Sequence, residues 1–289
     1  LNSLKLVVTE NERRNTILHI FNSTSVLDGT NVQNLPIGLF GDFYSHELTF
    51  FLIENNDLKN IKQIFNKNNL EVKKVFLKSF SEGVQLINQN NNETFFKIKI
   101  NKDNSNIIFF EESSFRYSEY FNFGTNIIFK DIAKICSLDN EIIVNLLSNG
   151  FTKNKNFNDS EFLEEKYFTT GNYRKIRKKL IIDIVNARID EITNIILNKN
   201  INTKLFRQSS FKIYITIQDK LIFDNFQEDF KSCFSKNSDF ETNLINDFEI
   251  DSSVINTANL LNYGWKKEAI PIAQTKNSLI TRIFKSLFG

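Results

Sequence analysis

The chain is poor in the residues from which phosphate loops and metal sites are built. Its 289 residues include 9 glycines, 2 prolines, 2 cysteines, 2 histidines and no methionine. Scarce glycine leaves few places where backbone can close on a phosphate, since such loops depend on φ values that other residues resist. Cys136 and Cys233 stand far apart without metal-type spacing and read as two buried thiols in a reducing cytoplasm. No apolar run reaches the ~18 residues of a spanning helix, and no signal peptide opens the chain. A net charge of +2 leaves no broad basic field, so nucleic acid is not expected as a partner. Methionine is missing even at position 1, which leads to the expectation that Leu1 is not the biological start and that the chain is a fragment.

What is present is apolar bulk. Hydrophobic residues make up 41% of the chain and phenylalanine alone numbers 30. That suffices for one large globular domain or two smaller ones. The stretch from Ser278 to Phe288 has the clearest pattern. On a helix, at ~100° per residue, Leu279, Ile280, Ile283, Phe284, Leu287 and Phe288 share one half of the surface. Ser278, Thr281, Arg282, Lys285 and Ser286 fill the other. A linker over 269–276, broken by Pro271, precedes it, so 277–289 reads as a basic amphipathic helix for a membrane interface with anionic lipids as partner. The alternative is a terminal helix docked on its own domain.

Taken in order, residues 1–78 read as a small α+β unit. Thr16–Phe21, Glu47–Ile53 and Val72–Leu77 have strand character, Asp28-Gly29 makes a turn, and Asp57 is placed to cap a helix over 58–66 that Asn68 and Asn69 close. Residues 88–93 form a polar linker. Residues 95–100, 106–110 and 115–123 read as an antiparallel meander. Residues 138–205 are helical and charged, with a helix over Tyr173–Asn198 whose first turns carry Arg174, Lys175, Arg177 and Lys178. That cluster is either a solvated helix face or a docking patch for an acidic partner. A strand over 211–217, a helix over 223–234 and a closing helix over 252–264 follow. His19 and His46 are isolated and read as structural.

The succession of Ile17-Leu18-His19, Asp28-Gly29, Asn34, Pro36, Gly38, Gly41 and Leu70-Glu71-Val72 resembles the small inserted domain of the cell-division protein FtsA. Gly124 and Asp131-Ile132-Ala133, then Arg188 and Glu191, then Ala258, Leu260, Leu261, Tyr263 and Gly264 continue the resemblance in order, and a basic amphipathic end completes it. The resemblance implies an α/β (α+β), actin-like ATPase fold of FtsA type: an inserted α+β domain over 1–78, an actin-like second lobe over 79–268, and an incomplete N-terminal lobe. It further implies an adaptor at the division site on the cytoplasmic face of the inner membrane. Its partners would be the C-terminal peptide of FtsZ, anionic lipid, further copies of itself, and other division proteins through the inserted domain.

The nucleotide loops depart from the family. Where actin-like ATPases carry a glycine-rich hairpin led by Asp, this chain has Lys99 in place of the Asp, then Asn101 and Asp103, and no glycine. The later glycine turn is replaced around Ile217 and Gln218. Lys99, Asn101, Asp103, Gly124, Arg188, Glu191, Ile217 and Gln218 thus outline a degenerate nucleotide site. The expectation is no hydrolysis and no ATP or Mg cofactor. The alternatives are a weak ATPase in which Asp103 or Glu111 replaces the lost carboxylate, and a soluble scaffold.

Overall fold

The computed structural model describes residues 2–32, 38–153, 155–168, 172–206, 212–238, 240–245 and 250–269. The amphipathic stretch 277–289, the linker from 270, and Asn34 and Pro36 lie outside the described residues. The elements run α1 (Asn2–Asn11), β1 (Asn15–Leu27), β2 (Thr30–Val32), β3 (Tyr44–Glu54), α2 (Asn55–Asn66), α3 (Lys78–Asn90), β4 (Phe95–Ile100), β5 (Ser105–Glu111) and β6 (Ser114–Phe121). They continue with α4 (Asn126–Cys136), α5 (Asn140–Ser148), α6 (Lys178–Thr193), α7 (Ile201–Leu205), β7 (Lys212–Ile217), α8 (Lys220–Ser238), β8 (Thr242–Leu244) and α9 (Ile250–Tyr263). This is a mixed α/β protein with two sheets, the fold class that the sequence leads one to expect. Its two compact units do not divide at 78/79. Residues 79–93, 110–116 and the described part of 248–269 belong with the first 78.

The first unit holds a sheet of order β2-β1-β3. Asp28 and Gly29, with φ of 49° and 78°, make the two-residue turn between β1 and β2. β1 and β3 pair antiparallel from Asn15↔Glu54 to Leu27↔Tyr44. Far along the chain, Glu268 bridges to Phe21, flanked by bonds from Asn22 N–H to the Lys267 carbonyl at 2.7 Å and from Ala269 N–H to the Ile20 carbonyl at 2.8 Å. Beneath the sheet lie the buried rings of Phe21, Phe80, Phe110 and Phe115. The Cβ of an alanine at Gly83 of α3 would fall 2.0 Å from the Phe110 ring, so that helix fits only because the side chain is missing.

Both histidines are held by the fold of this unit. His19 is buried, with Nδ1 at 3.0 Å from Glu268 Oε1, while its Nε2 accepts the Leu77 N–H at 3.4 Å. An acceptor role at Nε2 places the proton of the neutral ring on Nδ1, facing the carboxylate. His46 lies between Ser25 Oγ and Asn22 Oδ1, and its burial lowers its pKa. Beside the Glu268 segment, Lys266 bonds Glu93 and holds that carboxyl below the usual range.

Three expectations for this unit need correction. α2 begins at Asn55, so Asp57 lies within its first turn, and the N-cap residue Glu54 makes no side-chain cap bond. Residues 70–77 form no strand; their apolar side chains have a groove to line, not a ladder to join. The polar run from Asn88 is no linker at its start, because α3 continues to Asn90 and ends on Asn91 in the left-handed conformation, φ 50°.

The second unit is built on the order β6-β5-β4-β7-β8. Short connections make β4-β5 and β5-β6 hairpins, since parallel neighbours need far longer crossovers. β7 lies parallel to β4 from Phe95↔Lys212 to Ile100↔Ile217, and β8 parallel to β7. The strand residues of β4 are buried throughout, as expected for a strand covered on both faces. Ile128, Ile132, Ile181, Val185, Ile189, Phe226 and Phe230 bring α4, α6 and α8 into one core with Phe96, Ile98, Ile213 and Ile215. α6 starts at Lys178, not Tyr173. Arg177 instead bridges to Phe162, and Lys178 N–H bonds the Glu161 carbonyl, which keeps 173–177 out of the helix.

Candidate functional site

In parallel α/β sheets, ligands collect at the carboxyl ends of strands, where helix N-termini present free amides. In the second unit that place is the end of β4 and β7. β4 passes into a turn in which Asn101 N–H bonds the Asn104 carbonyl at 2.9 Å. α4 begins directly against this turn. Thr125 N–H donates to the Asn101 carbonyl at 2.9 Å, and Asn126 N–H to the Lys102 carbonyl at 2.8 Å. The approach requires Gly124, because a Cβ there would lie 2.2 Å from the Asn101 oxygen and 2.6 Å from that of Lys102. Asn126 Nδ2 also donates to Asp103 Oδ1 at 2.7 Å.

The end of β7 is closed in a different way. Gln218 N–H donates to the Ile100 carbonyl at 2.9 Å, continuing the ladder past Ile217. Asp219, buried, then caps α8: its Oδ1 accepts from Leu221 N–H at 3.0 Å and Ile222 N–H at 3.3 Å. Its Oδ2 accepts from the buried Thr125 hydroxyl at 3.1 Å. One carboxylate therefore joins the starts of α4 and α8. The amides that would greet an anion are met by carbonyl oxygens on one helix and by a negative charge on the other. Such an arrangement repels phosphate where a glycine loop would cradle it.

Lys99, Asn101, Asp103, Gly124, Ile217 and Gln218 are brought together here. Lys99 is buried in β4 opposite Thr216 of β7. Arg188 and Glu191 lie on α6, where the Arg188 guanidinium bonds Asp131 and Glu191, each at 2.5 Å. The bond to Asp131 raises the Arg188 pKa further. Glu111 belongs to the first unit and pairs with Arg116 at 3.2 Å. Asp219, Thr125 and Asn126 were not singled out from sequence. The signal was an Asp directly before the apolar period of α8, the mark of an N-cap.

The basic cluster is partly engaged. Arg174 donates to the Ser137 carbonyl at 2.9 Å, Lys175 lies over the Phe162 ring at 4.4 Å, and Lys178 pairs with Glu164 at 3.1 Å. Arg177 is exposed. Among the described residues no cluster of His, Cys, Asp and Glu is placed to hold a metal ion, and no helix is long and apolar enough to cross a membrane.

No protein-family model matches the chain, and no curated protein matches it in sequence. Solved structures do. A PilM-PilN type IV pilus biogenesis complex is similar at TM-score 0.49 and 8% identity, covering 92% of this chain and 70% of that one. MreB 5 of Spiroplasma citri bound to AMPPNP is similar at 0.44 and 12%, with coverages of 72% and 65%. The ethanolamine utilization protein EutJ from Carboxydothermus hydrogenoformans is similar at 0.40 and 10%, with coverages of 66% and 57%.

Proposed function

We propose that this chain is an actin-like adaptor resembling FtsA, which links FtsZ filaments to the cytoplasmic face of the inner membrane without turning over nucleotide. The observation that carries the second half is the bridge of Asp219 between the starts of α4 and α8, with the Asn101 and Lys102 carbonyls over the first amides of α4. ATP would have to displace the chain's own capping groups and approach a carboxylate. Titration of ATP and Mg into the protein by calorimetry is expected to give no heat of binding up to millimolar ligand. Binding tighter than that, or magnesium-dependent phosphate release abolished by Asp103→Asn, overturns the reading.

The membrane half is supported by the segment 278–288. Partial burial of Leu279, Ile280, Ile283, Phe284, Leu287 and Phe288, at most ~1.5–3 kcal/mol each, suits a reversible anchor. Arg282 and Lys285 add about 1 kcal/mol each on an anionic surface. Co-sedimentation with vesicles containing anionic phospholipid is the test. The intact chain is expected to bind, and Phe284→Asp or removal of residues after Thr275 to weaken binding at least tenfold. Binding indifferent to both changes removes the membrane role. FtsZ, self-association, and contacts of the first 78 residues with other division proteins then follow as the partners to examine.

A further inference from the structure

α2 has an apolar stripe of Leu58, Ile61, Ile64 and Phe65, yet none of its residues is buried. Part of that stripe lines a groove of about 750 Å³, entirely within the first unit. Ile61 and Phe65 of α2, Val72 and Phe76 of the 70–77 stretch, and Val254 and Leu261 of α9 all belong to its lining. Phe65 and Leu261 are each 45% exposed and Val254 is 62% exposed. Two helices thus present unpartnered apolar faces to one channel, the form that receives an amphipathic helix.

The sequence supplies a segment with the pattern of such a helix, and its tether starts beside the channel lining. Ala269, the last described residue, is fixed by its N–H to the Ile20 carbonyl at 2.8 Å. Glu268 before it is bonded to His19, whose ring lies 5.3 Å from that of Phe76 in the groove lining. Residues 270–277 can extend about 28 Å, and a helix over 278–288 is about 16 Å long. A tether of that length sets an effective concentration in the millimolar range. In the helical pattern read from the sequence, Arg282 and Lys285 lie opposite the apolar half, so that half would face the groove.

We propose that the groove of the first unit is the resting site of the chain's own segment 278–288, so that groove and lipid surface compete for one apolar face. The seat in the groove rests on the amphipathic reading of that segment alone, while the competition rests also on the proposed membrane binding, which is measured separately. The first test uses the full chain with its own tail disabled by Ile283→Asp and Phe284→Asp, titrated with a fluorescent peptide of residues 276–289. The peptide is expected to bind in the micromolar range, and Leu261→Glu or Val254→Glu, each at an exposed position, to weaken it at least tenfold. The second test places the groove substitutions in the otherwise unaltered chain, where vesicle affinity is expected to rise severalfold as the tail is released. No peptide binding up to millimolar concentration, or binding that neither groove substitution alters, overturns the proposal. Groove-dependent dimers in the unaltered chain would overturn the intramolecular form, because the tail would then be seated on a second copy. Peptide binding with unchanged vesicle affinity would overturn the competition.

Discussion

Phe80→Ala is expected to lower the stability of the first unit by about 3–5 kcal/mol. Phe80 is fully buried, with ring centroids of Phe21 at 4.8 Å, His19 at 5.1 Å and Phe115 at 6.0 Å around it. The surroundings have little room to collapse into the space left behind. Phe115 is stacked on Phe51 at 4.2 Å, and Phe110 already abuts Gly83. A cavity that cannot relax incurs both the lost transfer energy and the lost contacts. The single tryptophan makes the measurement direct, since Trp265 is held in the same unit by a 2.7 Å bond from Nε1 to the Ser113 carbonyl. Urea unfolding followed by its fluorescence should show the loss, while Phe40→Ala, at a fully exposed ring, should stay within about 0.5 kcal/mol of the parent. A cost below about 1 kcal/mol for Phe80→Ala would mean that the aromatic cluster is not packed as described.

The second large effect is expected at Asp219. Asp219→Ala removes a helix cap, a loss of about 0.5–2 kcal/mol, and leaves the buried Thr125 hydroxyl without its acceptor, for about 1–3 kcal/mol more. Asp219→Asn keeps an oxygen for the cap and should recover part of that loss. Neither substitution is expected to create ATP binding. The Asn101 and Lys102 carbonyls still cover the first amides of α4, and no glycine is gained in either turn. Calorimetric ATP binding by Asp219→Ala would show that one carboxylate alone had closed the site.

Much of the strand content was legible because it follows short-range rules. The Asp28-Gly29 turn needs left-handed φ values that this dipeptide supplies, and the alternation over 95–121 marks hairpins whichever sheet receives them. Elements decided by distant packing were not legible. α3 has an apolar stripe in Phe80, Val84 and Ile87, but Gly83 and the polar Ser79, Ser81, Glu82 and Gln85 are buried as well, which no pattern in the sequence announces. It is helical because Phe80 and Val84 enter a core and Ser81 meets Thr257 and Asn256 of α9. Residues 173–177 have the composition of a helix start, but Arg177 bridges to Phe162 and the helix begins only at Lys178. The loss of glycine at the candidate site was visible in the sequence. What replaced it was not, since a cap at Asp219 and a turn at Asn101 become one arrangement only when β4 and β7 lie side by side.

The pairing of residues 267–269 with β1 also sets an order of events during synthesis. Glu268 meets His19 across a separation of 249 residues, so the outer edge of β1 at Ile20 and Phe21 waits for residues 267–269, which leave the ribosome long after it. Residues 94–247, by contrast, contain the whole of the second unit and can condense first. Throughout that interval the nascent first unit offers bare backbone amides and carbonyls beside buried-type phenylalanines, a template for pairing with other chains. Folding of this protein should therefore depend on whatever shields that edge until residues 267–269 emerge.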